Sequence, residues 1–340
     1  MLSMYSPLSE MDIYDVAVLR PGTVYKLTGH GDEHLILKVE ASLNVNEASL
    51  KHAKLAMKAV DKKAGNVKAL TTAEKLAIKG WVQFMKGITR DFAEDKIHGF
   101  SAGPAAQDMA GVLDNPLWYK MPLADLSDAD KLLEARLGTQ TGTADKSVMR
   151  QFADGLNATG GLEQMGKIVA ADMFIGQLDR FNPGQGSTKH YGNKQLNFKV
   201  IANIGNIFVI GKNSQQRVAF SGHDFLDPNS GFRHYDSSIK DTEDNYGVTW
   251  PGRTLCDKSA RKKFAKHIVQ DLETILTPNR KSYSLFSKLD SNAEKRLERG
   301  MLEGMRDIIG AVDARYGKPG AKPIPAGLKQ RRDAFKNTVG

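Results

Sequence analysis

The sequence lacks several features that would assign it to an exported or membrane-bound class. It has one cysteine, Cys256, in 340 residues, so no disulfide can form within the chain, and this favours a reducing compartment. No apolar run approaches the roughly 20 residues of a membrane span. The first part of the chain also lacks the apolar core of a secretory signal peptide. The sequence therefore predicts no membrane span, and either a cytoplasmic protein or an effector exported into a host cell without a hydrophobic signal.

Motifs of several common enzyme classes are missing as well. The chain contains no H-E-x-x-H, no C-x-x-C and no G-x-x-x-x-G-K-[ST] phosphate-binding loop. Its eight histidines do not fall at the close spacing of zinc ligands. A zinc site is therefore not expected.

Hydrophobic periodicity divides the chain into a β-rich first part and a mostly helical remainder. Alternating runs separated by Gly and Pro turns predict an antiparallel meander over residues 15–19, 23–27 and 35–39. Helical spacing predicts helices over residues 46–63, 72–92, 128–137, 144–156, 162–175, 257–276 and 292–316, with Thr72 as an N-cap. A further strand is predicted over 116–123, a hairpin over 206–210 and 217–220, and a loop over 99–115.

These elements predict an α+β chain with two lobes. A small β-rich N-terminal lobe is expected over residues 1–123, and a larger, mainly helical C-terminal lobe over residues 124–316. Residues 317–340 are expected to form a basic tail that contains Pro and Gly.

Positive charge is concentrated toward the C-terminus. The net charge is +9, and residues 258–340 hold 19 Lys and Arg against 9 Asp and Glu. Basic helices of this kind attract an acidic protein, an anionic membrane surface or nucleic acid. No aromatic residues are interleaved with the basic ones in a base-stacking pattern, which favours a solvated helix face as the alternative interpretation. If these helices do bind a partner, an acidic protein is the candidate, and nucleic acid is less favoured.

Candidate catalytic residues follow the helix predicted over 162–175. Asp179 and Arg180 come shortly after Gly176, where that helix is expected to end. A carboxylate on such a loop can orient and deprotonate an attacking hydroxyl group. A surface ion pair is the alternative interpretation of this dipeptide, and Arg180 is a candidate for a structural role.

Oxygen-bearing side chains flank the predicted hairpin. Asn206 opens its first strand, and Asp224 follows its second strand. Amide and carboxylate oxygens suit Mg²⁺ or Mn²⁺, and such a pair can hold a metal ion that bridges nucleotide phosphates. Asn182 and Asn203 are rivals of Asn206 for this role, and Asp227 is a rival of Asp224.

Lys38 is the candidate for phosphate binding in the first lobe. It lies on the third β-like run, where a lysine can reach the α- and β-phosphates of ATP. Such a lysine requires a carboxylate to hold it. Glu47, at the start of the next helix, is our first choice, and Glu40 is the lesser candidate.

Three further residues are expected to contact the nucleotide. Gly22 and Thr23 lie in the turn between the first two strands, and Met121 lies where the chain leaves the first lobe. The turn reads Arg20-Pro21-Gly22-Thr23 and has no G-x-G-x-x-G motif. It therefore offers fewer glycine amides to phosphates than the glycine-rich loop of a kinase does.

The segment around Asp179 resembles the catalytic segment of actin-fragmin kinase and its atypical relatives. The likeness rests on Asp179-Arg180 followed by Pro183, on a polar insertion that ends in Gly192-Asn193, and on Asn206 before an apolar strand. It is best over Met165 to Asp227. Such proteins share the protein-kinase fold but carry an Asp-Arg motif, as phosphatidylinositol kinases also do.

The resemblance implies a bilobal protein-kinase-like fold that binds ATP and Mg²⁺ between its lobes. In that case Asp179 is the catalytic base and Lys38 the phosphate-binding lysine, while Asn206 and Asp224 are the metal ligands. It further implies a Ser/Thr protein kinase of atypical type, acting on a protein with an acceptor hydroxyl.

Two other functions stay open at this point. A kinase-like fold can also transfer AMP or ligate an amino acid. Alternatively, the chain is a catalytically inactive kinase-like binding module that uses its basic helices as a docking surface.

Overall fold

The structure is a computed structural model. It describes residues 2, 6–31, 33–40, 47–62, 68–92, 102–115, 117–122, 153–177, 180–181, 208–210, 219–221, 250–276 and 289–340. Its strands are β1 (Asp15–Arg20), β2 (Val24–Thr28), β3 (His34–Glu40), β4 (Lys68–Ala69), β5 (Leu117–Pro122), β6 (Phe208–Ile210) and β7 (Ala219–Ser221). Its helices are α1 (Glu47–Val60), α2 (Thr72–Phe92), α3 (Ala102–Ala110), α4 (Gly161–Ile175), α5 (Arg253–Cys256), α6 (Lys258–Leu276), α7 (Ala293–Tyr316) and α8 (Ala326–Val339). The predicted α+β class is confirmed.

The chain divides into two compact units. The first comprises Met1–Glu47 and Asn66–Ala124, and the second comprises Ala48–Gly65 and Asp125–Gly340. Almost all of α1 therefore belongs to the second unit, although it lies between β3 and β4 in the sequence.

The first unit is built on a five-stranded antiparallel sheet in the order β1-β2-β3-β5-β4. The first three strands form the predicted meander. Tyr25 pairs with Leu37, which pairs with Lys120 on β5. One residue further along β3, Lys38 lies between Val24 and Tyr119. Because successive residues of a strand point to opposite faces, these two rows belong to different faces of the sheet.

One face of this sheet forms the core of the first unit with α2 and α3. The strand residues in that core alternate with residues of the other face and are Val16, Tyr25, Leu27, Leu35, Leu37, Val39 and Trp118. The helices contribute Ile78, Trp81, Val82, Met85, Ala105, Ala106 and Met109. Lys38 therefore lies on the face opposite to α2 and α3.

Helix α3 corrects the loop predicted over residues 99–115. The Gly and Pro content of that segment suggested irregular structure, yet residues 102–110 are helical. Pro104 falls in the first turn, where a helix tolerates proline. Ala105, Ala106 and Met109 are fully buried, so packing against the sheet stabilises the helix.

The N-cap of α2 is Thr71, and the prediction of Thr72 was wrong by one residue. The Thr71 hydroxyl accepts the Glu74 N–H at 3.2 Å, and the Glu74 carboxylate accepts the Thr71 N–H at 2.9 Å. This is a capping box, which satisfies amide groups that the helix leaves unpaired. Buried Glu74 also forms a 2.9 Å ion pair with buried Lys120 on β5 and accepts the Leu8 N–H at 3.1 Å. Glu74 thus connects the start of α2 to both the sheet and the N-terminal segment.

In the second unit, α4 and α7 pack against each other through glycine. A Cβ atom on Gly300 would collide with the carbonyl oxygen of Glu163, and one on Gly166 with that of Leu297. A Cβ on Gly304 would lie 2.8 Å from the Cβ of Ala170. Both helices were predicted, but this close backbone contact depends on which of their faces meet.

Helix α8 was not predicted, because residues 317–340 were expected to form a tail. Residues 317–325 contain no helix or strand, but α8 follows them and buries Leu328, Arg331 and Phe335. The predicted hairpin is present as the antiparallel pair β6 and β7, which joins Phe208 to Ser221. The helix predicted over 128–137 and most of that over 144–156 lie outside the described residues. Among the helices that the structure describes, none is long and apolar enough to cross a membrane.

We predict that Gly300→Ala lowers the free energy of unfolding by about 1 to 3 kcal/mol, because the new methyl group meets backbone at the crossing of α4 and α7. Urea denaturation measures this change. Gly310→Ala is the matched control on the same helix, since nothing lies within 4 Å of a Cβ at that position. The control should be neutral or stabilising. Equal losses in both variants would contradict the close contact.

Acid should destabilise the first unit partly through Glu74. Burial raises the pKa of this carboxyl, but hydrogen bonds from Thr71, Lys120 and Leu8 lower it by a larger amount. The pKa of Glu74 is therefore below its usual value. A lowered folded-state pKa stabilises the protein above the unfolded pKa of about 4.3, and this stabilisation is lost as the pH falls through the folded pKa. Glu74→Gln should therefore lessen the dependence of stability on pH below about 4.3. Denaturation at several pH values, with the exposed Glu273→Gln as control, measures the difference.

Candidate functional site

Helix α4 ends in a tight turn that leads to the Asp179-Arg180 segment. Gly176 has φ 83°, a left-handed conformation that glycine adopts without a steric penalty. The N–H groups of Gly176 and Gln177 both donate to the carbonyl oxygen of Asp172 at 2.8 Å. The backbone thus leaves the helix in a defined direction, and Gln177 is fully buried.

A buried ion pair connects this segment back to α4. The Arg180 Nε donates to Asp172 Oδ2 at 2.8 Å, and its Nη2 donates to Asp172 Oδ1. Both side chains are completely buried. A bidentate pair of an arginine and a carboxylate sets both distance and orientation, so it determines where the backbone of Arg180 lies. Arg180 therefore has a structural role, in which it binds Asp172 on α4.

The C-terminal end of α4 is closed by residues far away in sequence. The carbonyl oxygen of Phe174 accepts the indole N–H of Trp250 at 3.1 Å and the Arg331 Nη1 at 2.9 Å. Phe335 packs against Phe174 with ring centroids 5.2 Å apart, and against Trp250 at 5.7 Å. Because the last carbonyls of a helix have no partner within it, these donors satisfy a group that burial would otherwise penalise. Helix α8 thus helps to fix the end of α4 from which the candidate loop begins.

The sequence contained little sign of these partners. Arg180 was noticed only through its neighbour Asp179, and Asp172 was one of the positions of a predicted helix. Trp250 and Arg331 were not singled out, because no local pattern connects them to Phe174. A buried aspartate in an apolar helix was the one available signal, since such a charge needs a partner.

Several of the candidate residues lie outside the described part of the chain. These are Asp179, Asn182, Asn203, Asn206, Asp224 and Asp227. Asn206 precedes β6 by two residues, and Asp224 follows β7 by three. Within the described ranges, no group of three or more His, Cys, Asp or Glu side chains could hold a metal ion. The metal-binding assignment therefore stays a prediction.

The candidates of the first unit occupy defined places on its sheet. Lys38 is half-buried on β3, and Met121 on β5 lies opposite Ile36 on the same face of the sheet. Gly22 and Thr23 form the turn between β1 and β2, where the Thr23 N–H donates to the carbonyl of Arg20 at 3.1 Å. In the same region, the Val39 N–H donates to the Thr23 carbonyl at 2.8 Å, which ties the turn to β3.

The two glutamates proposed to hold Lys38 stand at the ends of neighbouring elements. Glu47 is the first residue of α1, and Glu40 is the last residue of β3. Whether either one holds Lys38 remains a prediction.

Helix α6 carries an exposed lysine-rich surface, which we call the α6 lysine surface: Lys258, Lys262, Lys263 and Lys266. None of the four forms an ion pair with another described residue. Some other basic residues of the second unit form ion pairs, such as Arg296 with Glu163 at 3.0 Å. Burial and the neighbouring lysines lower the pKa of His267, so it adds no charge at neutral pH. An acidic partner at this surface stays a prediction.

Comparison with known proteins identifies no relative: no protein-family model, curated protein or solved structure matches the chain. The arguments for function therefore come from the residues and their geometry.

Removing the carboxylate of the buried pair should strongly destabilise the second unit. Asp172→Ala removes the bidentate carboxylate partner of the buried Arg180 guanidinium, and we expect the free energy of unfolding to fall by about 3 to 5 kcal/mol. The exposed pair of Lys329 and Asp333, 3.3 Å apart, supplies the control. Lys329→Ala removes only this exposed pair and should cost less than about 1 kcal/mol. Chemical denaturation measures both.

A double variant distinguishes two causes of this destabilisation, namely an uncompensated buried charge and lost packing. Asp172→Ala combined with Arg180→Met removes the buried guanidinium and should recover part of the lost stability. A double variant that is no more stable than Asp172→Ala alone would contradict the assignment of the loss to an uncompensated charge.

Proposed function

We propose that the chain is an ATP- and Mg²⁺-dependent phosphotransferase with a bilobal kinase-like arrangement, and that it phosphorylates a Ser or Thr hydroxyl on a protein. The observation that carries this proposal is the placement of Lys38 and Glu47. Lys38 lies on the third strand of the five-stranded sheet, and Glu47 begins the helix that follows it. Protein kinases hold the ATP phosphates with a lysine on the third strand and pair it with a glutamate of the next helix.

The face of the sheet that carries Lys38 supports the same proposal. Lys38 and Met121 share the face that does not pack against α2 and α3. A nucleotide under this face would meet a cation at its phosphates and an apolar side chain near the end of β5. That distribution suits an ATP molecule, which has a charged end and a flat, largely apolar base.

The buried pair of Asp172 and Arg180 supports a catalytic role for Asp179, the residue just before Arg180 in the sequence. Asp179 directly precedes Arg180, whose side chain is held by two hydrogen bonds to α4. Catalytic groups need support from neighbouring residues that are themselves fixed. We propose that Asp179 accepts the proton of the attacking hydroxyl and orients that hydroxyl toward the γ-phosphate.

Asn206 and Asp224 are the residues proposed to hold the metal ion. Amide and carboxylate oxygens are the donors that Mg²⁺ accepts, and few such ligands are needed because phosphates and water complete its coordination. When bound, the ion would neutralise charge that develops on the phosphates during transfer. Lys38 would add a second positive charge there, and positioning of the reactants would supply much of the rate enhancement.

A binding module without catalysis is the alternative that a specific observation favours. The turn between β1 and β2 is short, and the α6 lysine surface has no ion-pair partners among the described residues. Such a module would bind an acidic partner in a salt-dependent way, independently of ATP. AMP transfer has no separate structural support, but the same experiment tests it.

Incubation of the purified chain with ATP, Mg²⁺ and a mixture of candidate protein acceptors tests the proposal. We expect the labelled γ-phosphate to appear on protein, and the rate to fall by about 100-fold or more in Asp179→Ala, because the proton acceptor is lost. Lys38→Met should also lower the rate, mainly by weakening the contact with the phosphates. Lys79→Met, an exposed lysine on α2, is the matched control and should leave the rate unchanged.

The mass of the modified protein distinguishes the alternatives. A gain equal to one phosphate supports the kinase proposal, whereas a gain equal to AMP replaces it with nucleotide transfer. Equal labelling by wild type and Asp179→Ala would remove Asp179 from the catalytic role. A chain that binds no ATP by calorimetry, but binds polyanions in low salt, would favour the binding module.

A further inference from the structure

The turn between β1 and β2 is held by a carboxylate from the opposite end of the first unit's sequence. The Gly22 N–H donates to Asp108 Oδ2 at 2.8 Å. Gly22 has φ 67°, so its amide projects from a left-handed position in the turn. Asp108 lies in the last turn of α3, a helix inserted between β4 and β5. The insertion therefore contributes directly to the conformation of a turn 86 residues away.

The same carboxylate oxygen has a second donor. The hydroxyl of Tyr25, on β2, donates to Asp108 Oδ2 at 2.6 Å. Tyr25 is buried, and its ring stacks on Trp118 of β5 with an interplanar angle of 8°. Burial and the Asp108 carboxylate raise the pKa of the Tyr25 hydroxyl, so it remains a donor at neutral pH. Asp108 is thus fixed by the sheet on one side and fixes the turn on the other.

Satisfying a buried tyrosine hydroxyl explains only part of this arrangement. A hydroxyl donor needs one acceptor, and Asp108 supplies it. The additional bond to Gly22 fixes an amide that otherwise could turn toward solvent. A charge-assisted bond to a turn amide sets the position of the whole turn, because the turn has only a few residues between its strands.

In the proposed function, the turn between β1 and β2 contacts the phosphates of ATP. In kinases a glycine-rich loop covers the phosphates of ATP, and its several glycines allow the backbone to approach them. The present turn has one glycine between Pro21 and Thr23. With a single glycine, the backbone of this turn has less freedom to adapt to the phosphates than a glycine-rich loop has. It must instead be held in the required position beforehand.

We propose that Asp108 is a positioning residue, which holds the β1–β2 turn over the phosphates of a bound nucleotide and takes the place of a glycine-rich loop. This inference rests on the proposed binding of ATP. Asp108 itself need not touch the nucleotide. Its loss affects recognition of the phosphate chain and leaves recognition of the nucleoside unaffected.

Calorimetry with two probes tests this separation. For Asp108→Ala we expect the dissociation constant for ATP with Mg²⁺ to rise about tenfold, while that for adenosine stays within about twofold of the wild type. Tyr25→Phe retains the bond between Asp108 and Gly22, and its ATP affinity should match the wild type. Asp114→Ala is the matched control, since Asp114 is an exposed aspartate in the turn just after α3.

Hydrogen exchange supplies a readout that does not depend on any nucleotide. The Gly22 amide should exchange faster in Asp108→Ala than in wild type or Asp114→Ala, because it loses its acceptor. If Asp108→Ala does not fold, Asp108→Ala with Tyr25→Phe removes the unsatisfied hydroxyl and serves in its place, and the same ATP-specific loss is expected.

The outcomes distinguish failure of this inference from failure of the proposed function. Unchanged ATP affinity in Asp108→Ala overturns the inference and leaves the proposed function intact. A parallel loss of ATP and adenosine binding also overturns it, because it assigns Asp108 a general structural role. A wild-type chain that binds neither probe overturns both. A loss confined to ATP, with faster exchange at Gly22, supports Asp108 as a positioning residue.

Discussion

Burial of helix α4 is the constraint on which the second unit depends. Nearly all of its residues, from Gly161 to Ile175, are buried, including two carboxylates. A buried charge or an unpaired carbonyl is costly, so each of these groups requires a partner within the protein. Glu163 pairs with Arg296 on α7, Asp172 pairs with Arg180, and the Phe174 carbonyl accepts donors from distant residues. The polar groups of one helix thereby determine how α7, α8 and the following loop attach to it.

Close packing of α4 is possible because glycines remove side chains where α7 crosses. Gly166 and Gly300 let the two backbones approach until a methyl group at either position would overlap a carbonyl oxygen. The approach brings α7 near enough for Arg296 to reach Glu163 and the carbonyl groups of Asn157 and Ala158, at 3.1 and 2.6 Å for the latter two. Shape and charge therefore support the same arrangement.

The first unit uses inserted helices for comparable purposes. Helices α2 and α3 cover one face of the sheet, and each also supplies a carboxylate that reaches beyond its own packing contacts. Glu74 joins the start of α2 to Lys120 on β5, and Asp108 joins α3 to the turn before β2. Both carboxylates come from helices on the face of the sheet opposite to Lys38.

The sequence by itself determined the class of fold, every described strand except β4, and most of the described helices. Alternation and helical spacing are local and depend on neighbouring residues. The sequence also indicated Lys38 and Asp179 as candidates, since their order along the chain follows a known pattern of phosphotransfer chemistry. Because these patterns are local, the sequence did not predict α3 and α8. The Gly- and Pro-containing stretch of α3 becomes helical only when Ala105 and Met109 are buried against the sheet, and α8 becomes ordered through Phe335 on Trp250.

Only the tertiary structure decided the partners of the charged groups. Arg180 binds Asp172, eight residues earlier on a helix, and Asp108 binds the Gly22 amide, 86 residues away. Such pairs depend on how elements pack in three dimensions, and the hydrophobic periodicity of the sequence does not predict them. The same physical reason applies to both: a carboxylate inside or at the edge of the core accepts the donor that the packed chain brings within reach. Packing is decided by the whole of each unit rather than by neighbours in sequence.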